Sequence, residues 1–364
     1  MIVVGINISH DASSCVVEDG KVIYFCEEER LAKIKHYVLD IESKFYGISK
    51  LKKYGIKKID SLVFVSFRRE NDIADLHIIN NIKDQIEQAG IKINSVVYNP
   101  ELHHLYHACN AFYASGFEES AALIADGSGA YTNKFIEYRE IESIYKFNST
   151  AISMMYQHCT DNNYMTDTNI KYNKILFPYE LLLSNGVSCG KLFTHWCTNV
   201  NLGAEEDAGN NAGKYMGLAS YGKLDDNSDW IDYIDDSPIF NSACIDKIKQ
   251  YNLSRTSLVK GTKEFQILAN IAKKVQEETK KYTIQLIKKA LKKADSNNIV
   301  LSGGYFLNCV NNYEYIKAFP DVNFYIDPIA LDSGTSMGAA LLQYKKIIGV
   351  KSTIEPIKNL YLGG

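Results

Sequence analysis

Residues 2–26 read IVVGINISHDASSCVVEDGKVIYFC, and residues 121–142 read AALIADGSGAYTNKFIEYREIE. In the first stretch IVVGINI (2–8) and ASSCVV (12–17) are short β-rich runs. Asp19-Gly20 suits a type I′ hairpin turn, and Val22–Cys26 is the returning strand. The chain is therefore expected to open as a β-meander whose first loop carries Ser9, His10 and Asp11. The second stretch repeats that plan. AALIAD is a hydrophobic strand, Asp126 opens the loop Gly127-Ser128-Gly129, and KFIEYREIE (134–142) returns. Such a duplication, with parallel strands and helices around it, is what a two-lobed actin-like α/β fold would show. The expected division is a first lobe over 1–118 and a second over 119–364, with the final helix able to pack on the first.

The remaining elements follow from apolar spacing. Residues 42–54 and 74–90 read as helices, and Ser61–Ser66 as a buried strand. HHLYHACNAFYAS, from His103, is a helix of small and aromatic residues. The stretch from about 143 to 200 is rich in Asn, Tyr and Thr with weak periodicity, and reads as irregular or inserted. Phe265–Ala294 is a long amphipathic helix. IVLSGGYFLN (299–308) is strand, glycine turn and helix start, VNFYID (322–327) a buried strand, and Ser333–Tyr344 the last helix. No flexible linker interrupts the chain, so the lobes are expected to meet at a cleft.

Composition removes several classes of function. The chain has 364 residues, 46% hydrophobic and 23% charged, with 40 Lys plus Arg against 43 Asp plus Glu. A formal charge of −3 gives no strong electrostatic case for non-specific nucleic-acid or membrane binding. No apolar run approaches the roughly 18 residues of a membrane span. The first residues lack a basic n-region, so they read as a strand and not a signal peptide. Eight cysteines are scattered without a C-x-x-C pair, which fits packed thiols in a reduced, cytoplasmic enzyme.

His103 and His107 are the sharpest chemical signal. One i,i+4 step apart, they share a helix face, and both imidazoles can reach one ion, whereas His104 points about 100° away. Two histidines are too few for a site. Asp126, at the end of a buried strand, is a plausible third ligand, and Asp332 in LDSGTSMG a plausible fourth. The plainer reading is that the histidines cap or pack a helix. Gly303-Gly304 suit a backbone that approaches a ligand before a helix, and Asn308 could bond a ribose or base; the plainer reading is an ordinary strand–helix turn. A nucleotide is expected across the cleft, its phosphates near the metal and Gly127, Ser128 and Gly129, its sugar or base near Gly303, Gly304 and Asn308. GKYMGLASYG (213–222) lacks P-loop spacing, but Lys214 could meet a phosphate or carboxylate. Glu27-Glu28-Glu29-Arg30, followed by Lys33, Lys35 and His36, reads as a solvated charged face.

Together, GINISHDASSCVVEDGKVIYFCEEERLAKIKH, HHLYHACNAFYASGFEESAALIADGSG, GKYMGLASYG, LSGGYFLNC and ALDSGTSMGAAL resemble the O-carbamoyltransferases that act on nodulation factors, cephems and aminoglycosides. Only about 140–205 lacks a counterpart. The resemblance implies an actin-like, ASKHA-type domain similar to the universal tRNA threonylcarbamoyl-transfer protein. It implies Fe(II) or a similar divalent metal on His103, His107, Asp126 and Asp332. It also implies a YrdC-like second domain that makes carbamoyl-adenylate from carbamoyl phosphate and ATP, after which the first domain passes the carbamoyl group to a hydroxyl. Imidazole and carboxylate ligands with open positions suit such an ion. His10, in the first loop, is the candidate to take the acceptor's proton.

Two departures from the family pattern stand out. MGLASYG replaces MGLAPYG, and the sequence stops at NLYLGG where the family usually continues into the YrdC-like domain. The expectation is a YrdC-like partner, in trans or following on the same chain, docking near the mouth of the cleft. Formation of tRNA threonylcarbamoyladenosine is a rival reading, against which the HDASS and MGLASYG blocks argue. A non-catalytic nucleotide-binding subunit is another, and the presence of all four candidate ligands argues against it. The acceptor is expected to be a small molecule, a sugar or a modified base, selected by the divergent 140–205 stretch.

Overall fold

A computed structural model describes residues 1–69, 72–132, 137–161, 163, 169–176, 178–193, 212–250, 259–349 and 353–362. The first sheet begins with the meander β1 (Ile2–Asn7), β2 (Ser13–Glu18) and β3 (Lys21–Glu27), all antiparallel. Asp19 and Gly20 between β2 and β3 both have positive φ (48° and 85°), as a type I′ turn requires. The short helices α1 (Glu28–Ala32) and α2 (Ile48–Lys53) and the two-residue strand β4 (Lys58–Ile59) follow. Next come β5 (Ser61–Val65), α3 (Ile73–Gln88), β6 (Lys92–Ile93), which pairs with β4, and β7 (Val96–Tyr98). The sheet order is β3-β2-β1-β5-β7, with β5 and β7 parallel to β1.

After α4 (His103–Ser115) the plan repeats in β8 (Ser120–Ala125), β9 (Arg139–Phe147) and β10 (Ile152–Thr160). Strands β11 (Tyr172–Leu176) and β12 (Glu180–Ser184) extend that sheet. They are followed by α5 (Ala212–Ala219), the hairpin β13 (Ile231–Ile234) and β14 (Ser237–Phe240), and α6 (Ser242–Gln250). The long α7 (Lys263–Ala294) then leads to β15 (Asn298–Ser302), α8 (Cys309–Ala318), β16 (Asn323–Ile326) and α9 (Thr335–Ile348). The second order is β11-β12-β10-β9-β8-β15-β16. Its five strands β10-β9-β8-β15-β16 match the first sheet one for one: an antiparallel meander whose first strand is followed, on its other side, by two parallel strands. This duplication is the two-lobed actin-like architecture.

Burial explains the layering. Ile78, Ile79, Ile82 and Ile86 of α3 cover one face of the first sheet, together with Val4, Ile6 and Leu62. The other face shares a core with α4, α9 and the second sheet, joining Val3, Val63, Ala108, Ile124, Val300 and Leu341. The second sheet's outer face packs on α7 through Leu268, Val275, Leu286 and Ala290. The two central helices meet closely: a Cβ on Gly338 of α9 would lie 1.9 Å from the Tyr106 carbonyl oxygen of α4. Thus α9, the last helix, packs against β1, β2 and β5 of the first lobe.

Several local expectations need correcting. Residues 143–200 are not irregular where described, since β9, β10, β11 and β12 run through them. β9, β12 and the second half of β10 are buried on both faces, so no apolar–polar alternation marks them. Ile144 and Tyr156 face α7 while Tyr145 and Phe147 face α4. The strand expected over 134–142 begins at Arg139, residues 134–136 lying outside the described ones. The helix expected over 42–54 is confined to Ile48–Lys53, because Tyr46 and Gly47 give their amides to Glu28 Oε2 at 2.8 and 3.1 Å. Glu28 is fully buried and burial pushes its carboxyl up to about 7, so it does not belong to the solvated face expected of this charge run, in which Arg30, Lys33 and Lys35 are exposed. Among the described residues, seven cysteines form no disulfide and all but Cys309 are buried. No helix among them is long and apolar enough to cross a membrane.

Candidate metal centre and cleft

The ends of β1, β8 and β15 and the N-termini of α4 and α9 converge at one end of the central helix pair, where open α/β sheets expose their ligand crevices. α4 brings His103 and His107 to one face, their rings 4.8 Å apart. β8 ends at Asp126, and the turn before α9 supplies Asp332. His103 Nε2 lies 3.5 Å from Asp126 Oδ2 and 3.5 Å from Asp332 Oδ1, and His107 Nε2 lies 3.5 Å from the same Asp332 oxygen. One ligand atom from each of the four residues falls within 4.8 Å of the others. Atoms bound at about 2.1 Å to one ion stand about 3–3.5 Å apart, so the set fits a cation with little movement.

Hydrogen bonding leads to the same assignment. His103 Nδ1 and Nε2 and His107 Nε2 are buried with no hydrogen-bond partner among the described residues. A buried orphan polar atom is costly, and a cation would satisfy both Nε2 atoms. Burial disfavours a charged His103, but Asp332 and Asp126 outweigh it and push the imidazole up to about 10. Burial likewise opposes the charged carboxylates, yet His10 and His103 hold Asp332 well below the usual range and His103 holds Asp126 low. Two buried anions thus demand positive charge between them. Behind the ligands, Ser302 Oγ donates to Asp327 Oδ2 at 2.7 Å and stands 3.4 Å from His107 Nδ1. With its proton given to Asp327, the hydroxyl accepts from Nδ1–H, which leaves the Nε2 lone pair facing the site. Asn110 and the Ile329 amide fix Asp327 at 2.8 and 2.9 Å.

The first loop is built around Asn7. Its Nδ2 donates to the carbonyls of His10 and Asp11, both at 3.2 Å, and its Oδ1 accepts from the Ser9 amide and hydroxyl at 3.1 and 2.8 Å. This leaves the His10 side chain 54% exposed, with Nδ1 3.6 Å from Asp332 Oδ2. Its ring meets Phe67 edge-on at 5.5 Å. Asp11 takes positive φ (57°) and holds His36 Nδ1 at 2.5 Å.

From this centre a cleft of about 600 Å³ opens, with His10, Asp126, Gly127, Ser128, Gly304 and Asn308 on its walls. Gly129, Gly303 and Lys214 do not line this cavity. Gly129 is turned inward, where a Cβ would meet His104 Nε2 at 2.7 Å. Gly303 has φ +98° and passes over Ala125, whose carbonyl a Cβ would meet at 2.3 Å; it shapes the turn that presents Gly304. Asn308 caps α8 through Asn311 N at 3.2 Å and bonds Gln276 at 2.9 Å, so its Oδ1 is already engaged. Lys214 is exposed on α5, next to the lining residue Gly213.

Sequence reasoning missed Arg139 and Lys191, both on the cleft wall. Arg139 donates to the carbonyls of Ser128 and Gly129 and stacks its guanidinium over Phe67 and Tyr131. Burial lowers the pKa of Lys191, as does the neighbouring Arg139. No motif flags either residue. The adjacent pair Arg139-Glu140 on a strand, one residue facing each way, was the available signal.

Fold and site together define a two-lobed actin-like protein with an imidazole–carboxylate cluster at its cleft whose geometry could hold a metal ion. Residues 78–341 match the family model described as the carbamoyltransferase N-terminus, and the chain belongs to that family. Nodulation protein NolNO of Sinorhizobium fredii is 22% identical over 392 residues, covering 97% of this chain and 49% of that protein. The uncharacterized protein sll1178 of Synechocystis is 25% identical over 387 residues, covering 91% of this chain and 55% of that one. The chain therefore spans about half the length of these curated relatives. Among solved structures, full-length HypF in the phosphate- and nucleotide-bound form superposes with a TM-score of 0.57 at 13% identity, over 96% of this chain and 56% of that one. HypF of T. kodakarensis gives 0.59 at 10% identity, over 96% and 48%. At such identities these two structures support the fold alone.

Proposed function

We propose that this chain is the transfer domain of an O-carbamoyltransferase. It moves a carbamoyl group from carbamoyl-adenylate to a hydroxyl of a small molecule, sugar or modified nucleobase. A YrdC-like domain or protein supplies the adenylate from carbamoyl phosphate and ATP. His103, His107, Asp126 and Asp332 hold Fe(II) or a similar divalent ion. The observation that carries this reading is the convergence of that ligand set on a cleft of about 600 Å³ in a chain of the carbamoyltransferase family. HypF, which shares the fold, has been crystallised with phosphate and nucleotide bound.

When bound, the metal supplies Lewis-acid polarisation of carbonyl and phosphate oxygens. The chain's own groups do the rest. Gly127, Ser128 and Gly304 let the phosphate and sugar come close, and Arg139 faces the leaving phosphate across the cleft. The acceptor oxygen attacks the carbamoyl carbon, the carbon–oxygen bond to the adenylate phosphate breaks, and AMP departs. The acceptor's proton passes to the exposed imidazole of His10. Phe193, Met216 and Leu331 line the cleft and exclude water, which would otherwise hydrolyse the donor.

The test is to give the purified, metal-loaded chain preformed carbamoyl-adenylate and candidate alcohols, and to look by mass spectrometry for a one-carbamoyl increment. His10→Ala should lower the rate by about 10²-fold or more with metal content unchanged. An undiminished rate would remove His10 from the mechanism. Efficient transfer from carbamoyl phosphate and ATP by this chain alone would refute the division of labour.

A further inference from the structure

A second cavity, of about 350 Å³, lies behind the cleft, between the start of α4 and the face of β9, β10 and β12. Tyr131 forms the partition: it lines this cavity, while Arg139, stacked on its ring, lines the cleft. The walls are aromatic and aliphatic, with Tyr145, Tyr179, Leu105 and Met154 among them. The only charged side chains lining it, among the described residues, are the carboxylates Glu101 and Glu140.

The polar groups are oriented in one direction. Tyr179 donates its hydroxyl to Gln157 Oε1 at 3.1 Å, and Gln157 Nε2 donates to Glu140 Oε1 at 2.7 Å. Glu140 Oε2 receives a long 3.4 Å contact from the His104 amide, and Glu101 Oε2 is buried with no hydrogen-bond partner among the described residues. The relay therefore ends on an acceptor with spare lone pairs at the base of an apolar chamber. Glu140 is 3% exposed, and burial raises its pKa to about 7, so charging it in an empty cavity is unfavourable. An ammonium group with N–H donors, carried on an apolar body, would satisfy the acceptor and the tyrosine faces together.

We infer that this cavity is a binding site, separate from the cleft, for a small organic ammonium ion, whose charged nitrogen donates to Glu140 and Glu101 while its apolar body lies among Tyr131, Tyr145 and Tyr179. The inference does not depend on the carbamoyl-transfer reading, because it is tested by binding alone.

Benzylammonium chloride serves as probe, with benzyl alcohol and benzoate as neutral and anionic isosteres, titrated by calorimetry into the full metal-loaded chain. Benzylammonium should saturate one site at millimolar concentration or below, and benzyl alcohol should bind at least about tenfold more weakly. Glu140→Gln should weaken benzylammonium by about tenfold or more and leave benzyl alcohol unchanged. Met154→Lys, which carries its own ammonium into the cavity from a half-buried position, should abolish binding. Equal affinity for alcohol and ammonium, displacement of the probe by ATP, or the absence of saturation would overturn the assignment. If Glu140→Gln does not fold, retained benzylammonium binding in Met154→Lys would overturn it equally.

Discussion

Ser302→Ala tests the proposed metal centre without touching any of its four proposed ligands. In the native chain Ser302 Oγ links His107 Nδ1, at 3.4 Å, to Asp327 Oδ2, at 2.7 Å. Removing the hydroxyl leaves the imidazole without the group that fixes its tautomer. Losing such a supporting partner typically costs 10–100-fold in metal affinity, or about 1.4–2.7 kcal/mol. The 3.4 Å contact is long for a hydrogen bond, so a loss nearer tenfold is expected. Asp327 keeps Asn110 and the Ile329 amide, so the fold should survive with a loss of about 1.5–3 kcal/mol from the missing charge-assisted bond. Competition against a chromophoric chelator reads the affinity, and thermal melting of the metal-free protein reads the stability separately. Affinity within about twofold of wild type, in a variant that melts as expected, would show that the relay does not orient His107.

Two further outcomes are expected. Glu180 sits on β12 with Ser237, Lys289 and Lys293 around it at 2.8–2.9 Å; burial opposes its charge, but these contacts bring its pKa down from 4.5 to about 2. Its stabilisation, at most about 3 kcal/mol, is therefore full above the unfolded value near 4.5 and lost as pH falls towards 2. Melting curves of Glu180→Gln should lie about 4 °C below wild type at neutral pH, with the gap closing on acidification; a gap that widens in acid would contradict the assignment. Gly304→Val places a Cβ 3.2 Å from Asp126 Oδ1 and methyl groups in the cleft, so nucleotide binding should weaken by about tenfold or more with the fold intact. Unchanged nucleotide affinity would remove Gly304 from that site.

The clustering of the four candidate residues was legible because they occupy positions that sequence periodicity marks. His103 and His107 share a helix face by spacing alone, and Asp126 and Asp332 follow recognisable apolar strands. The duplicated meander showed through its hairpin turn and strand-end aspartate. What stayed hidden depends on contacts far apart in sequence. Strands β9 and β10 are sandwiched between α4 and α7, and register shifts at Met154/Tyr156 and His158/Cys159 break the two-residue period further. Glu28 looks like one of a run of surface charges until Ser14, Tyr46 and Gly47 close around it. Arg139 is an unremarkable strand residue until Phe67 arrives from the other lobe.

The return of α9 to the first lobe has a consequence for how the molecule is made. During synthesis from the N-terminus, β1, β2 and β5 emerge more than 250 residues before the helix that covers their inner face. Asp332, just ahead of that helix, comes more than 200 residues after the other three ligands. A nascent chain therefore carries His103, His107 and Asp126 with an uncovered apolar sheet, and it gains the fourth residue of the cluster only as the first lobe closes. Completion of the four-residue cluster and closure of the first lobe are in this way tied to the same moment of translation, so chains that terminate before α9 lack both together.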